Sequence, residues 1–163
     1  MSTCPIENAS DESVDIEGLE NVLVLTKVFL DIHRTIDIRL VSDEEMAELN
    51  ARFRNLFEST DVLTFPSGLD APLPLGDIAI CIPYAIRQAE LRQVELSNEL
   101  AALLIHGCLH LIGFDDIEDI DRQTMQNKMN EVGQKLGIPI DAEWTSVLHQ
   151  VETEGDVQEM GLG

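Results

Sequence analysis

Cysteine is scarce in this chain and unsuited to a framework: Cys4, Cys81 and Cys108 make an odd number, with no C-x-x-C pair. That argues against a disulfide scaffold and fits unpaired thiols in a reducing compartment. Positive charge is scarce as well, 10 Lys and Arg against 31 Asp and Glu, for a formal net charge of -21. Such a surface repels polyanions at long range, which argues against a general nucleic-acid binder but leaves room for a local basic groove. It suits solubility or a salty interior. No apolar run approaches the roughly 20 residues of a membrane span. The opening "MSTCPIENASDESVD" lacks the basic and apolar regions of a secretory leader. The expectation is a cytoplasmic protein that does not enter the membrane.

What is present is an ordinary globular composition, 44% hydrophobic and 25% charged over 163 residues, enough for one domain with a real core. Residues 1–17 hold five acids and 149–163 hold four, and neither stretch has a Lys or Arg. We read 1–12 as a disordered acidic N-terminus, 13–148 as a single domain and 149–163 as an acidic tail. "SVDIE", residues 13–17, suggests a short edge strand. "GLENVLVLTKVFLDIH" predicts a helix with Leu19, Val22, Leu23, Phe29 and Leu30 on its apolar face, and His33 serving its C-terminal end. "TIDIRLV" alternates Ile36, Ile38 and Leu40 with polar neighbours, as a half-buried strand does.

"SDEE" has the form of a capping box, Ser42 with Glu45 three positions on, and opens a helix with Met46, Leu49 and Phe53 on one side. "DVLTF" and "DIAICI" read as strands around a Pro- and Gly-rich loop. Pro83 can start the next helix. Ser97 can cap "NELAALLIHGCLHLI", which is apolar nearly all round and therefore central. Met125, Met129, Val132 and Leu136 stripe a helix near 117–136, and Trp144, Val147, Leu148 and Val151 suggest a last short one. The fold class is α+β: a small mixed sheet packed against several helices, with a central buried helix carrying a pair of histidines.

Those histidines dominate the motif content. In "HGCLHLIGFDD", His106 and His110 lie one turn plus about 40° apart, on one helix face, as two imidazoles must to share a metal. Gly113 lets the chain leave through a positive-φ turn, so that Asp115 or Asp116 can fold back. Cys108 falls roughly 200° round the helix from His106 and is left out as a small buried residue. The pattern H-x-x-x-H-x-x-G-x-x-D parallels the metzincin H-E-x-x-H-x-x-G-x-x-H, with Gly107 where that family has its Glu base. The ligand spacing is kept and the peptidase base is not.

The same stretch resembles the signature H-G-x-L-H-L-x-G-[YF]-D-H of the YbeY endoribonucleases, which mature rRNA in bacteria. His106, Gly107, Leu109, His110, Leu111, Gly113, Phe114 and Asp115 match. "LNARFRNLFESTDVLTFP" resembles that family's L-N-x-x-[FY]-R…T-[DN]-V-L-S-F-P block, and "LGDIAIC" its L-G-D-I-x-I strand. The blocks keep their order over about residues 36–132. The family's third metal ligand is a His, and Asp116 stands in its place. Two His and a carboxylate form an accepted catalytic zinc set, though a carboxylate lowers Lewis acidity and favours harder ions. The alternatives are that Asp116 caps the next helix, or that His149 supplies the third ligand.

The resemblance implies one divalent metal, zinc first, held by His106, His110 and Asp116, with a vertex open for a water whose pKa the metal lowers towards about 7. Arg54, at the family's arginine position, is the candidate catalytic cation opposite the developing phosphorane charge. Thr60 and Asp61 shape the start of the strand beside the site, and Thr64 keeps the hydroxyl of the family's Ser. Arg52, Arg87 and Arg92 are candidates for holding RNA backbone. Asp115 either orients a metal-binding His or caps a turn. No general base is identified.

The implied function is a metal-dependent, single-strand-specific endoribonuclease acting on rRNA precursors, with the ribosome or small-subunit proteins as partners. Two rivals are a His/His/Asp metalloprotease and a non-catalytic ribosome-associated factor with a structural metal.

Overall fold

A computed structural model describes residues 5–70, 72–114, 118–141 and 144. The chain runs β1 (Ile6–Asn8), α1 (Ile16–Leu30), β2 (Ile36–Val41), α2 (Asp43–Arg54), β3 (Val62–Pro66), β4 (Gly76–Cys81), α3 (Ile82–Arg92), α4 (Leu96–Leu111) and α5 (Asp119–Leu136). The sheet order is β1-β2-β4-β3. β1, β2 and β4 are parallel and β3 is antiparallel to β4, so the sheet is mixed. Register explains the two faces. Ile6 lies beside Ile38, Ile38 beside Ile78, and Leu40 beside Ile80, which faces Val62. These side chains form one apolar face, which joins the apolar sides of α1, α4 and α5 in the main core. On the other face Val41, Leu63, Ala79 and Cys81 pack with Met46 of α2.

The α+β class and the central helix stand as expected. Twelve of the 16 residues of α4 are buried, and Leu103, Leu104, Ile105 and Leu109 are fully so. Each such side chain contributes about 1.5–3 kcal/mol relative to exposure. That margin offsets the cost of carrying Glu99 and His106 inside. Among the described residues, no helix is long and apolar enough to cross a membrane. Cys81 and Cys108 are buried free thiols, pushed up by burial to about 11 and about 12.

Several expectations need correction. The edge strand is Ile6–Asn8, inside the stretch expected to be disordered, and not 13–17, where Asp15 accepts from the Gly18 amide and caps α1. One buried side chain, Ile6, and pairing with β2 hold that strand, and neither leaves a sequence period. α1 stops at Leu30 because Asp31 adopts a left-handed conformation, and exposed His33 pairs with Asp31 at 2.7 Å. α4 starts before Ser97: Gln93 turns left-handed at the end of α3, and Glu95 takes the cap position without a side-chain bond. Ser42 does accept from the Glu45 amide, but the Glu45 carboxylate holds Arg39 at 2.5 Å. Phe53 is 58% exposed, and its ring meets Phe65 at 4.8 Å. Of the last short helix, only Trp144 falls among the described residues.

The first residue of α2 is tied to the middle of α3. Asp43 accepts both outer nitrogens of Arg87, at 3.0 and 2.9 Å, along with the Ser59 hydroxyl at 2.8 Å and the Cys81 thiol at 3.3 Å. Arg87 is the main reason the Asp43 carboxyl lies below its usual 3.8, at about 2. The folded value is the lower one. The tie therefore stabilises fully above the ordinary carboxylate range and is lost as pH falls through about 2. Both side chains are partly exposed, so solvent screening keeps the effect small. In Arg87→Met the fall in stability between about pH 4 and pH 2 should be shallower than in the parent chain. Urea midpoints followed by circular dichroism measure it; superimposable acid limbs would show that the pair contributes nothing.

Candidate functional site

α4 is laid on the sheet so that its histidine face is turned to one side. Two close approaches fix it. A Cβ on Gly107 would meet Ile78 side-chain atoms at 2.9, 3.1 and 3.3 Å, and one on Gly76 would lie 2.8 Å from Leu111. The helix therefore runs antiparallel to β4, with position 107 pressed onto the strand. His106, one residue back, is 5% exposed; His110, one turn on, is half-buried. Their Nε2 atoms are 3.1 Å apart, with ring centroids 4.5 Å apart and nearly perpendicular planes at 78°. The expected turn follows: Gly113 has φ +107, and open space surrounds its Cβ position, so backbone conformation alone accounts for the glycine.

The position at which metzincins carry their glutamate base is thus under the helix. A glutamate at 107 would be driven into Ile78, not towards the imidazoles. Gly107 serves close packing.

Beside His106 lies a cluster the sequence reading missed. Trp144, 3% exposed, sets its ring edge-on to His106 at 5.3 Å. Its Nε1–H donates to both carboxylate oxygens of Glu99, at 3.3 and 3.2 Å. Arg92 lies over the Trp144 ring at 5.2 Å, and its Nε is 3.5 Å from Glu99. Glu99 is 1% exposed, and burial pushes its carboxyl up, while Arg92 and the indole pull it down and Asp61 adds to the rise. A signal for Glu99 was available: it is a carboxylate in an otherwise apolar helix, seven residues before His106 on the same face. Trp144 gave no such signal, because its partners are remote in sequence.

Asp61 is fully buried and accepts from the Val62 amide at 2.8 Å, while its carbonyl accepts from the Cys81 amide at 2.9 Å. With Thr60 at 3.5 Å, it organises the start of β3, as the sequence suggested. Thr64 pairs across to Ile78, the residue beneath Gly107. Arg54 is half-buried in the last turn of α2, with one guanidinium nitrogen out of solvent. Arg52 is exposed in the same turn. Arg87 and Arg92 are held by Asp43 and Glu99.

Among the described residues, no three His, Cys, Asp or Glu side chains are gathered as a metal cluster. Asp115, Asp116 and His149 lie outside the described residues. The histidine pair itself fits a metal. Two nitrogens bound at about 2.0–2.1 Å to one tetrahedral zinc stand about 3.3 Å apart. The observed 3.1 Å is close to that.

The family model described as Endoribonuclease YbeY matches residues 6–137. A protein named Endoribonuclease YbeY from Pseudomonas entomophila is 42% identical over 120 residues, 69% of this chain and 76% of that one. One of the same name from Nautilia profundicola is 36% identical over 133 residues, 82% of this chain and 91% of its own. A Thermotoga maritima protein of known solution structure superposes with a TM-score of 0.56 at 28% identity, over 86% of this chain and 96% of that one.

Gly107→Val should destabilise the fold by about 1–3 kcal/mol, since Ile78 is itself enclosed and cannot withdraw freely. A drop in urea midpoint at constant m-value is the expected reading. An unchanged midpoint would show that the strand yields.

Proposed function

The chain belongs to the YbeY endoribonuclease family, and from that premise we propose that it is a zinc-dependent, single-strand-specific endoribonuclease acting on rRNA precursors. His106, His110 and Asp116 would hold the ion. The convergence of the two Nε2 atoms at 3.1 Å is the observation that carries the reading. When bound, the metal supplies a Lewis acid that polarises water or a phosphoryl oxygen. The residues of the chain do the rest.

The two imidazoles act as neutral donors, so each must present Nε2 without a proton to the ion. Asp116 would bring a carboxylate where relatives of the signature have His, and the added negative charge makes oxygen-preferring ions stronger competitors for the site. Asp115 would orient a ligating imidazole.

Arg54 would face the phosphate, and a partly desolvated guanidinium is the right group to meet charge that develops in a transition state. Its half-burial at the end of α2, next to the loop leading to Thr60 and Asp61, supports that role. Arg52, exposed one step away, would hold RNA backbone. Arg87 and Arg92 are engaged by carboxylates and would reach RNA only by leaving them. The setting would be the cytoplasm, with small-subunit proteins of the ribosome as partners. The metalloprotease reading loses support, because position 107 faces Ile78.

Two measurements test the proposal. Elemental analysis of protein purified without chelator should give one zinc per chain, and chelation should abolish RNA cleavage while the circular dichroism spectrum is kept. Absence of stoichiometric metal removes the metal site, and unfolding on chelation assigns the ion a structural role. Arg54→Ala should leave zinc content intact and slow cleavage by about 10²–10³-fold. Undiminished cleavage would exclude Arg54 from the reaction.

A further inference from the structure

We propose that Trp144 is a positioning residue for His106, holding the imidazole in its metal-binding orientation through an anchor on Glu99 and Arg92. This rests on reading His106 as a metal ligand. The indole is restrained on three sides. Its N–H is shared by the two Glu99 oxygens at 3.3 and 3.2 Å, its face lies under the Arg92 guanidinium at 5.2 Å, and its edge meets His106 at 5.3 Å.

Glu99 and His106 are seven residues apart on one helix, about 10 Å along its axis, and too far to touch directly. The indole spans that gap. It converts a carboxylate fixed deep in the helix packing into a wall against the imidazole. Edge-to-face aromatic contacts at this centroid distance are directional, so a ring rotated about its Cβ–Cγ bond loses the contact. The His110 ring stands on His106 as well, 4.5 Å away at 78°. The two aromatic neighbours together define the His106 plane. Groups that orient a metal-binding His carry a large share of metal affinity. Trp144 fills that place by ring packing, with its own orientation set by a buried ion pair. The geometry also makes Trp144, the single tryptophan of the chain, a reporter of the site.

Zinc is titrated into the metal-free full-length chain against a chromophoric chelator, with the metal-free fold of each variant verified by circular dichroism. Trp144→Ala should weaken zinc binding by about 10–100-fold, and Trp144→Phe, which keeps a ring but no N–H, by less. A merely structural anchor would lower the melting temperature of the metal-free chain and leave zinc affinity unchanged in both variants, and that result overturns the proposal. Because Trp144→Ala can fail to fold, two readings stand without it. Trp144→Phe should still bind zinc measurably more weakly than the parent, and parent indole emission should change and saturate at one equivalent of zinc. Unchanged affinity in Trp144→Phe together with unchanged emission overturns the proposal. A parent chain that takes up no zinc removes the metal site and the proposal with it. Tight parental binding that Trp144→Ala does not diminish removes the positioning role alone.

Discussion

The seating of α4 on β4 is the constraint on which the rest of this structure depends. With Gly107 against Ile78 and Leu111 over Gly76, the helix has one rotation about its axis. That rotation buries Cys108 and turns His106 towards Trp144, with His110 beside it. A side chain at 107 would lift the helix and tilt both imidazoles together. The glycine in the motif is therefore as much part of the site as the histidines, although it touches nothing that reacts. It also separates this site from a helix-borne glutamate base, because the same surface cannot press on a strand and face a substrate.

The second constraint is the buried charge. Glu99 at 1% exposure is costly unless its oxygens are satisfied. The Trp144 indole donates to both oxygens, and the Arg92 guanidinium offsets the charge at 3.5 Å from another segment. A buried ion pair is a poor device for stability as such, since apolar replacement often does as well. Its effect here is geometric. It fixes where residue 144 docks, and so closes one side of the histidine pair with chain that lies 34 positions beyond His110.

Local spacing made the His pair, the Gly113 turn, the core faces of α1 and α5 and the Ser42 cap legible from sequence, because each depends on neighbours within a few residues. Legibility failed wherever a partner lay elsewhere. β1 has one buried side chain and exists through pairing with β2. Ser97 obeyed the rule for a cap, but the left-handed Gln93 moved the start of α4 ahead of it. Arg87 and Arg92 were assigned to RNA because cations are few, and their carboxylate partners become visible only in three dimensions. Glu99 is readable from pattern, as a lone carboxylate inside an apolar run. Asp116, the third ligand that the family signature implies, lies outside the described residues.

The scarcity of cations has a sharper meaning once they are placed. Arg34 donates to the Leu69, Leu73 and Pro74 carbonyls and clamps the loop before β4. Arg39 bridges Glu7 and Glu45, Arg122 pairs with Asp119, and Lys128 pairs with Glu131. With Arg87 on Asp43 and Arg92 on Glu99, at least six of the ten Lys and Arg residues are tied to carboxylates or backbone among the described residues. The long-range field of a -21 chain opposes the substrate, so affinity cannot come from a broad basic surface. It must come from a few contacts at short range, where the low dielectric of a partly buried site makes a single guanidinium count for more than exposed lysines. Arg52, exposed, and the half-buried Arg54 stand together in the last turn of α2. An enzyme built this way gives up general attraction to polyanions and keeps a site that acts on strands able to reach it.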